Sequence, residues 1–130
     1  MKGPTVFKYL RVFIVMTMIA ALLPVFNAHP AHAAGSPTAN PDDYDILQDS
    51  GPNLLNWAAN DDLQDFSTLN GFDAVSLGGG TVTDEGNGFF EYTPPTGFIG
   101  NDIITYTVCD NDLPTATCDT TTLTVQVVPL

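Results

Sequence analysis

From residue 44 onward, Tyr, Val, Ile, Phe and Thr recur in short alternating runs divided by Gly, Asn, Asp and Pro. An apolar period of two, punctuated by turn formers, is the mark of β-strands. It predicts strands over 44–48, 53–57, 72–77, 81–83, 88–93, 102–109 and 117–128. No stretch carries the 3.6-residue period of an amphipathic helix, and 60–68 has room for one turn of helix at most. Seven short strands at this spacing predict an all-β fold, an antiparallel β-sandwich of the immunoglobulin type.

The last two predicted strands fix a register. If Cys109 and Cys118 face each other across a hairpin, Thr107 pairs with Thr120, Thr105 with Thr122 and Ile103 with Thr124 on one face. The other face pairs Tyr106 with Thr121 and Ile104 with Leu123, with Val108, Val125 and Val127 on the same side. One face is then largely threonine and the other largely apolar, as a half-buried sheet requires, and a slip of one residue would destroy the sorting.

The start of the chain has a different pattern. Lys2, Lys8 and Arg11 lead into an uncharged run over 12–26, and Ala31-His32-Ala33 follows with small residues. This is the plan of a secretory signal peptide, with cleavage expected after Ala33. An anchor that stays in place is the rival reading, but the run falls short of the roughly 20 residues that span a bilayer, and Pro24 interrupts its end. Export places the protein outside the cell or at its surface, with no transmembrane helix in the mature form. There a disulfide between Cys109 and Cys118 persists. Zinc is a poor alternative, since no histidine and no third thiol lies beyond residue 33. Residues 34–39, small, polar and proline-bearing, read as a linker, and 40–130 as one domain.

Charge sharpens the picture. Every Lys, Arg and His precedes residue 34, while all fifteen Asp and Glu follow it. A domain without a base has no internal salt bridge, no histidine acid–base chemistry and no phosphate-binding cluster. Nucleic acid is excluded as a partner, because that contact rests on Lys and Arg. An enzyme is not expected. A carboxylate pair alone could run glycoside chemistry, but a sandwich this small seldom holds the cleft it needs.

Two segments resemble a known family. Ala58-Ala59-Asn60-Asp61-Asp62 is followed by Tyr92-Thr93-Pro94, by Gly97-Phe98-Ile99-Gly100-Asn101-Asp102, and by an aromatic strand closing on Asp110. Together with Asn40-Pro41-Asp42-Asp43-Tyr44, this looks like the bacterial cadherin-like/Ig-like repeat, over about residues 38–128. The resemblance implies a module of secreted or surface-attached bacterial proteins, commonly in tandem and associated with adhesion and often calcium. Its expected partners are an extracellular protein or polysaccharide, or neighbouring repeats. Two features depart from the pattern: Trp57 stands where a smaller aliphatic is common, and the sequence holds one copy, ending at Val127-Val128-Pro129-Leu130 as if to hand over to a following domain.

Ig-like strand order would gather the start of the domain, the loop after the second strand and the last hairpin loop at one pole. Those segments supply the candidate Ca²⁺ ligands Asp42, Asp43, Asn60, Asp61, Asp62, Asp110 and Asp112, with Asp65 and Asn111 nearby. Calcium takes six to eight oxygens in flexible geometry. The alternative is that these are solvated turn formers. Asp110-Asn111-Asp112 is no EF-hand, since Thr115 and Thr121 stand where the loop needs Gly and Glu. A further functional alternative is a carbohydrate-binding sandwich. It requires Trp57, Phe90 and Tyr92 to be exposed and coplanar, whereas core packing is expected for them and for Phe98 and Tyr106.

Overall fold

A computed structural model describes residues 35–130; the signal-peptide reading of 1–33 lies outside them. Seven strands follow in order: β1 Asp42–Leu47, β2 Asn53–Asn56, β3 Thr68–Phe72, β4 Thr81–Gly86, β5 Phe89–Thr93, β6 Gly100–Cys109 and β7 Cys118–Val128. They form two sheets, one ordered β1-β7-β6-β3 and the other β2-β5-β4, an all-β Ig-like sandwich. There is no helix among the described residues.

The β6–β7 ladder takes the register the sequence predicts. Cys109 faces Cys118, Thr107 faces Thr120, Tyr106 faces Thr121, Thr105 faces Thr122, Ile104 faces Leu123 and Ile103 faces Thr124. Cys109 and Cys118 form a disulfide with Cα atoms 4.1 Å apart, and the outward hydroxyls of Thr107 and Thr120 lie 2.8 Å apart.

Two expectations give way. The pairing is not antiparallel throughout, because β1 runs parallel to β7. After β1 the chain turns at Asp49, with φ 54°, and crosses to the other sheet, so β1 pairs with the last strand rather than with its neighbour in sequence. The third strand also lies earlier than 72–77. A register shift between Leu69 and Gly71 offsets β3 against β6. Beyond Phe72 the chain makes spaced contacts with β6, Asp73 N to Thr105 O and Leu77 N to Ile103 O, both close to 3 Å, and an isolated bridge from Val75 to Thr81 at the start of β4. Val75 and Leu77 are exposed there while Ser76 between them is buried, so the apolar positions that suggested a strand face solvent.

The expected linker over 34–39 is partly built into the domain. Thr38 bridges to Asp62 and Ala39 is buried in the core. The family resemblance likewise begins at residue 38.

The core lies between the sheets. Leu55, Trp57, Val82, Phe90 and Tyr92 face Ile46, Ile104, Tyr106, Val108, Leu123, Val125 and Val127. Phe90 sits at the centre of an aromatic cluster, with ring centroids 5.0 Å from Phe72, 5.8 Å from Trp57 and 6.0 Å from Tyr106. Such tilted and edge-on pairs add to area burial. Phe98 is half-buried and packs against the hydrophobic core.

Candidate cation site and the buried carboxylates

Alternation along β6 turns Tyr106 inward, and its length carries the hydroxyl to one pole. There the oxygen meets five acceptors: Asn40 O at 3.3 Å, Asp42 Oδ2 at 3.1 Å, Trp57 O at 3.1 Å, and Asp61 Oδ1 and Oδ2 at 3.2 and 3.0 Å. A phenol has one proton to donate. Asp61 Oδ1 also accepts from Asn40 N at 2.7 Å. The remaining lone pairs face one another with no Lys, Arg or His beside them, which leaves an oxygen-rich cluster of hard donors around the Tyr106 hydroxyl.

The electrostatics follow from this crowding. Asp42 is 7% exposed. Burial pushes its carboxyl up to about 6; the Tyr106 hydrogen bond pulls it back, and Asp61 and Asp43 repel the charged form. Asp61 is raised for the same first reason, burial, against the hydrogen bonds from Asn40 and Tyr106. Burial and the two carboxylates hold the Tyr106 phenol far above its ordinary value, so it stays neutral.

The other candidate ligands lie apart from this point. Asp43, next to Asp42 on a strand, faces outward and is exposed. Asn60 Nδ2 donates to Pro41 O, and its own carbonyl accepts from Asn40 Nδ2, which ties the loop to the start of the domain. Asp62 accepts from Gln64 Nε2 at 2.7 Å. Asp110 Oδ1 accepts from Asp112 N and Thr117 N within the last hairpin loop, while its Oδ2 is buried without a donor. The Asp112 carboxyl is raised by loss of solvent and by Asp65 and Asp110 beside it. Among the described residues, no three His, Cys, Asp or Glu side chains gather into a ready-made metal cage. Asp42 and Asp61 with the carbonyls of Asn40 and Trp57 are thus a partial set for calcium, which needs further oxygens from water or a partner.

A second buried carboxylate was not singled out from the sequence. Asp102, 0% exposed, accepts from the Ser76 and Tyr92 hydroxyls and from the backbone N–H of Gly78 and Ile103. Burial alone would raise its carboxyl; the four donors outweigh that and lower it. Burial and the adjacent Asp102 charge hold the Tyr92 phenol up. Glycines make the approach possible: a Cβ on Gly78 would lie 2.8 Å from Asp102 Cγ, and one on Gly80 2.4 Å from Tyr92 Cε2. The signal was present, because Asp102 lies two residues before Ile104 on the inward face of β6, where a carboxylate needs its own donors.

Trp57, Phe90 and Tyr92 are buried in the core. No helix among the described residues is long and apolar enough to cross a membrane. Neither a curated protein nor a solved structure matches the chain. The family model described as bacterial Ig domain matches residues 34–127.

Proposed function

Because the chain belongs to the bacterial Ig domain family, we propose that it is a non-catalytic structural and adhesion module, exported to the cell surface or beyond, whose pole takes up Ca²⁺. The observation that carries the calcium reading is the convergence of Asp42, Asp61 and two main-chain carbonyls on a hydroxyl with a single proton. No Lys, Arg or His follows residue 33 to neutralise it. A bound calcium ion would offset the negative charge of the pole. The chain's own residues supply the rest: Asn40 and Asp61 join the start of the domain to the loop after β2, and Tyr106 anchors both to β6. Rigidity at that pole suits a spacer or one unit of an array.

The carbohydrate reading loses its support, since the aromatics it needs as an exposed platform are core residues. Thermal unfolding of the full chain in low-salt buffer tests the calcium reading. At millimolar Ca²⁺, binding of the strength usual for extracellular modules stabilises by about 1–2 kcal/mol, roughly 5–10 °C for a domain this size. An unchanged melting temperature against an EDTA reference refutes it.

A further inference from the structure

A half-open pocket of about 420 Å³ lies on the side of the sandwich away from the β1 edge. Ala58, Leu63 and Leu69 give it aliphatic walls, Asp84 near the end of β4 and Asn87 in the turn to β5 edge it, and Trp57 forms part of the lining. The Trp57 indole N–H is buried and has no acceptor. Indole can only donate, and buried donors without partners are rare in folded proteins.

The segments around the pocket are held in unusual backbone conformations. Gly86, Asn87 and Gly88 all have positive φ, at 74°, 54° and 85°. A Cβ on Gly88 would come within 2.7 Å of Ala58 Cβ, so the turn closes tightly on the residue after Trp57. Across from it, Asp65 and Phe66 have φ of 51° and 58°, rare for non-glycine residues. The result is that Phe66 stands 80% exposed beside Ser67 and Thr68 of the pocket lining. An aromatic held in solvent by a strained turn, next to an aliphatic pocket edged by the Asp84 carboxylate, has the anatomy of a binding site.

We propose that this pocket is a docking site for a peptide segment of another protein in which an aliphatic side chain is followed by Lys or Arg. The aliphatic group fills the space between Ala58, Leu63 and Leu69 against the Trp57 ring, and Phe66 covers the segment. The cationic residue pairs with Asp84, whose Oδ1 is engaged by Gly86 N and whose side chain is otherwise exposed. Charge dictates the sign of the partner: fifteen acidic residues and no base follow residue 33, so an anionic segment is repelled and a basic one is steered in. The proposal rests on the reading of the chain as an interaction module, but it does not involve the calcium pole.

Trp57 is the single tryptophan of the chain, so its emission reports on the pocket directly. The full chain is titrated in EDTA with N-acetyl-Leu-Lys-amide and, separately, N-acetyl-Leu-Glu-amide. The expected result is a saturable change in emission with the Lys peptide alone, weakened roughly threefold in Asp84→Asn and about tenfold in Phe66→Ser. Both substitutions are at exposed positions and leave the melting temperature in place. No saturable change, an equal response to the Glu peptide, or affinities unaltered in both variants overturns the proposal. A chain that keeps its calcium-dependent melting shift while failing to bind the peptide separates this failure from that of the functional reading.

Discussion

The Tyr92 hydroxyl donates to Asp102 Oδ2 at 2.6 Å, joining β5 of one sheet to β6 of the other across the sandwich. In a domain without bases, a buried carboxylate has to be satisfied by neutral donors, and Asp102 has four of them. Replacing Asp102 by Ala leaves two hydroxyls and two N–H groups facing an apolar void. The expected loss is about 3–5 kcal/mol, whereas Tyr92→Phe removes one donor and costs about 1–3 kcal/mol. Urea unfolding of both single variants and the double variant checks this. The double variant should be less destabilised than the sum of the two, and strict additivity would show that the two groups do not interact.

Gly80 is a steric requirement of the same link. A methyl there would lie 2.4 Å from Tyr92 Cε2 and 2.9 Å from Thr93 O, so either the ring or β5 must shift. Gly80→Ala is expected to cost about 1–3 kcal/mol by overpacking. Gly71→Ala, where nothing lies within 4 Å of the added atom, is the control and should change stability by well under 1 kcal/mol. Equal midpoints for the two variants would contradict the geometry.

Acidification should stabilise the protein before it unfolds it. Asp42 is raised from 3.8 to about 6, so between those values the folded chain holds a proton that the unfolded chain has released. Stability from this group is complete below 3.8 and is lost as pH rises through about 6. Asp61 is shifted in the same direction. Asp102 is shifted the other way, so its contribution disappears only when pH falls through its depressed value. In EDTA the unfolding free energy from urea titration is expected to be higher at pH 4.5 than at pH 7.5, by about 1 kcal/mol once solvent screening is allowed for. Asp42→Asn should flatten that difference and be more stable than the parent at pH 7.5. A parent whose midpoint falls steadily from neutral pH would rule out the assignment.

The sequence was most legible where two independent signals coincided. The β6–β7 register followed both from the cysteine pair and from the sorting of threonine against apolar residues, and each constrains the other. The third strand carried alternation alone, and the offset between Leu69 and Gly71 lies outside what a period of two can express. Acidic loop residues were readable as a pole but not as a ligand set. Asp42 and Asp43 are neighbours on a strand, so only one of them can face Tyr106, and Asp62 is drawn away by Gln64. Asp102 had an inward register, but its donors come from residues 76, 78 and 92, far along the chain. The Trp57 pocket has no local signature at all, because its lining comes from residues 57–58, 63–69 and 84–88, which only the fold brings together.

The disulfide should matter for stability far more than for the pole. Cys109 and Cys118 close a span of nine residues at the end of the longest ladder. That loop is short, so linking it removes a modest amount of unfolded-state freedom, about 2–3 kcal/mol at most. The ladder itself continues from Val108–Asp119 to Gly100–Val127 without help from the bond. Tyr106, Asp42 and Asp61 are positioned by that ladder and by the start of the domain. The Cys109→Ser/Cys118→Ser double variant is therefore expected to unfold at lower urea yet keep both the calcium-dependent shift and the Trp57 emission of the parent. Loss of the calcium response together with stability would mean that the last hairpin loop, with Asp110 and Asp112, holds the ion instead of the cluster around Tyr106.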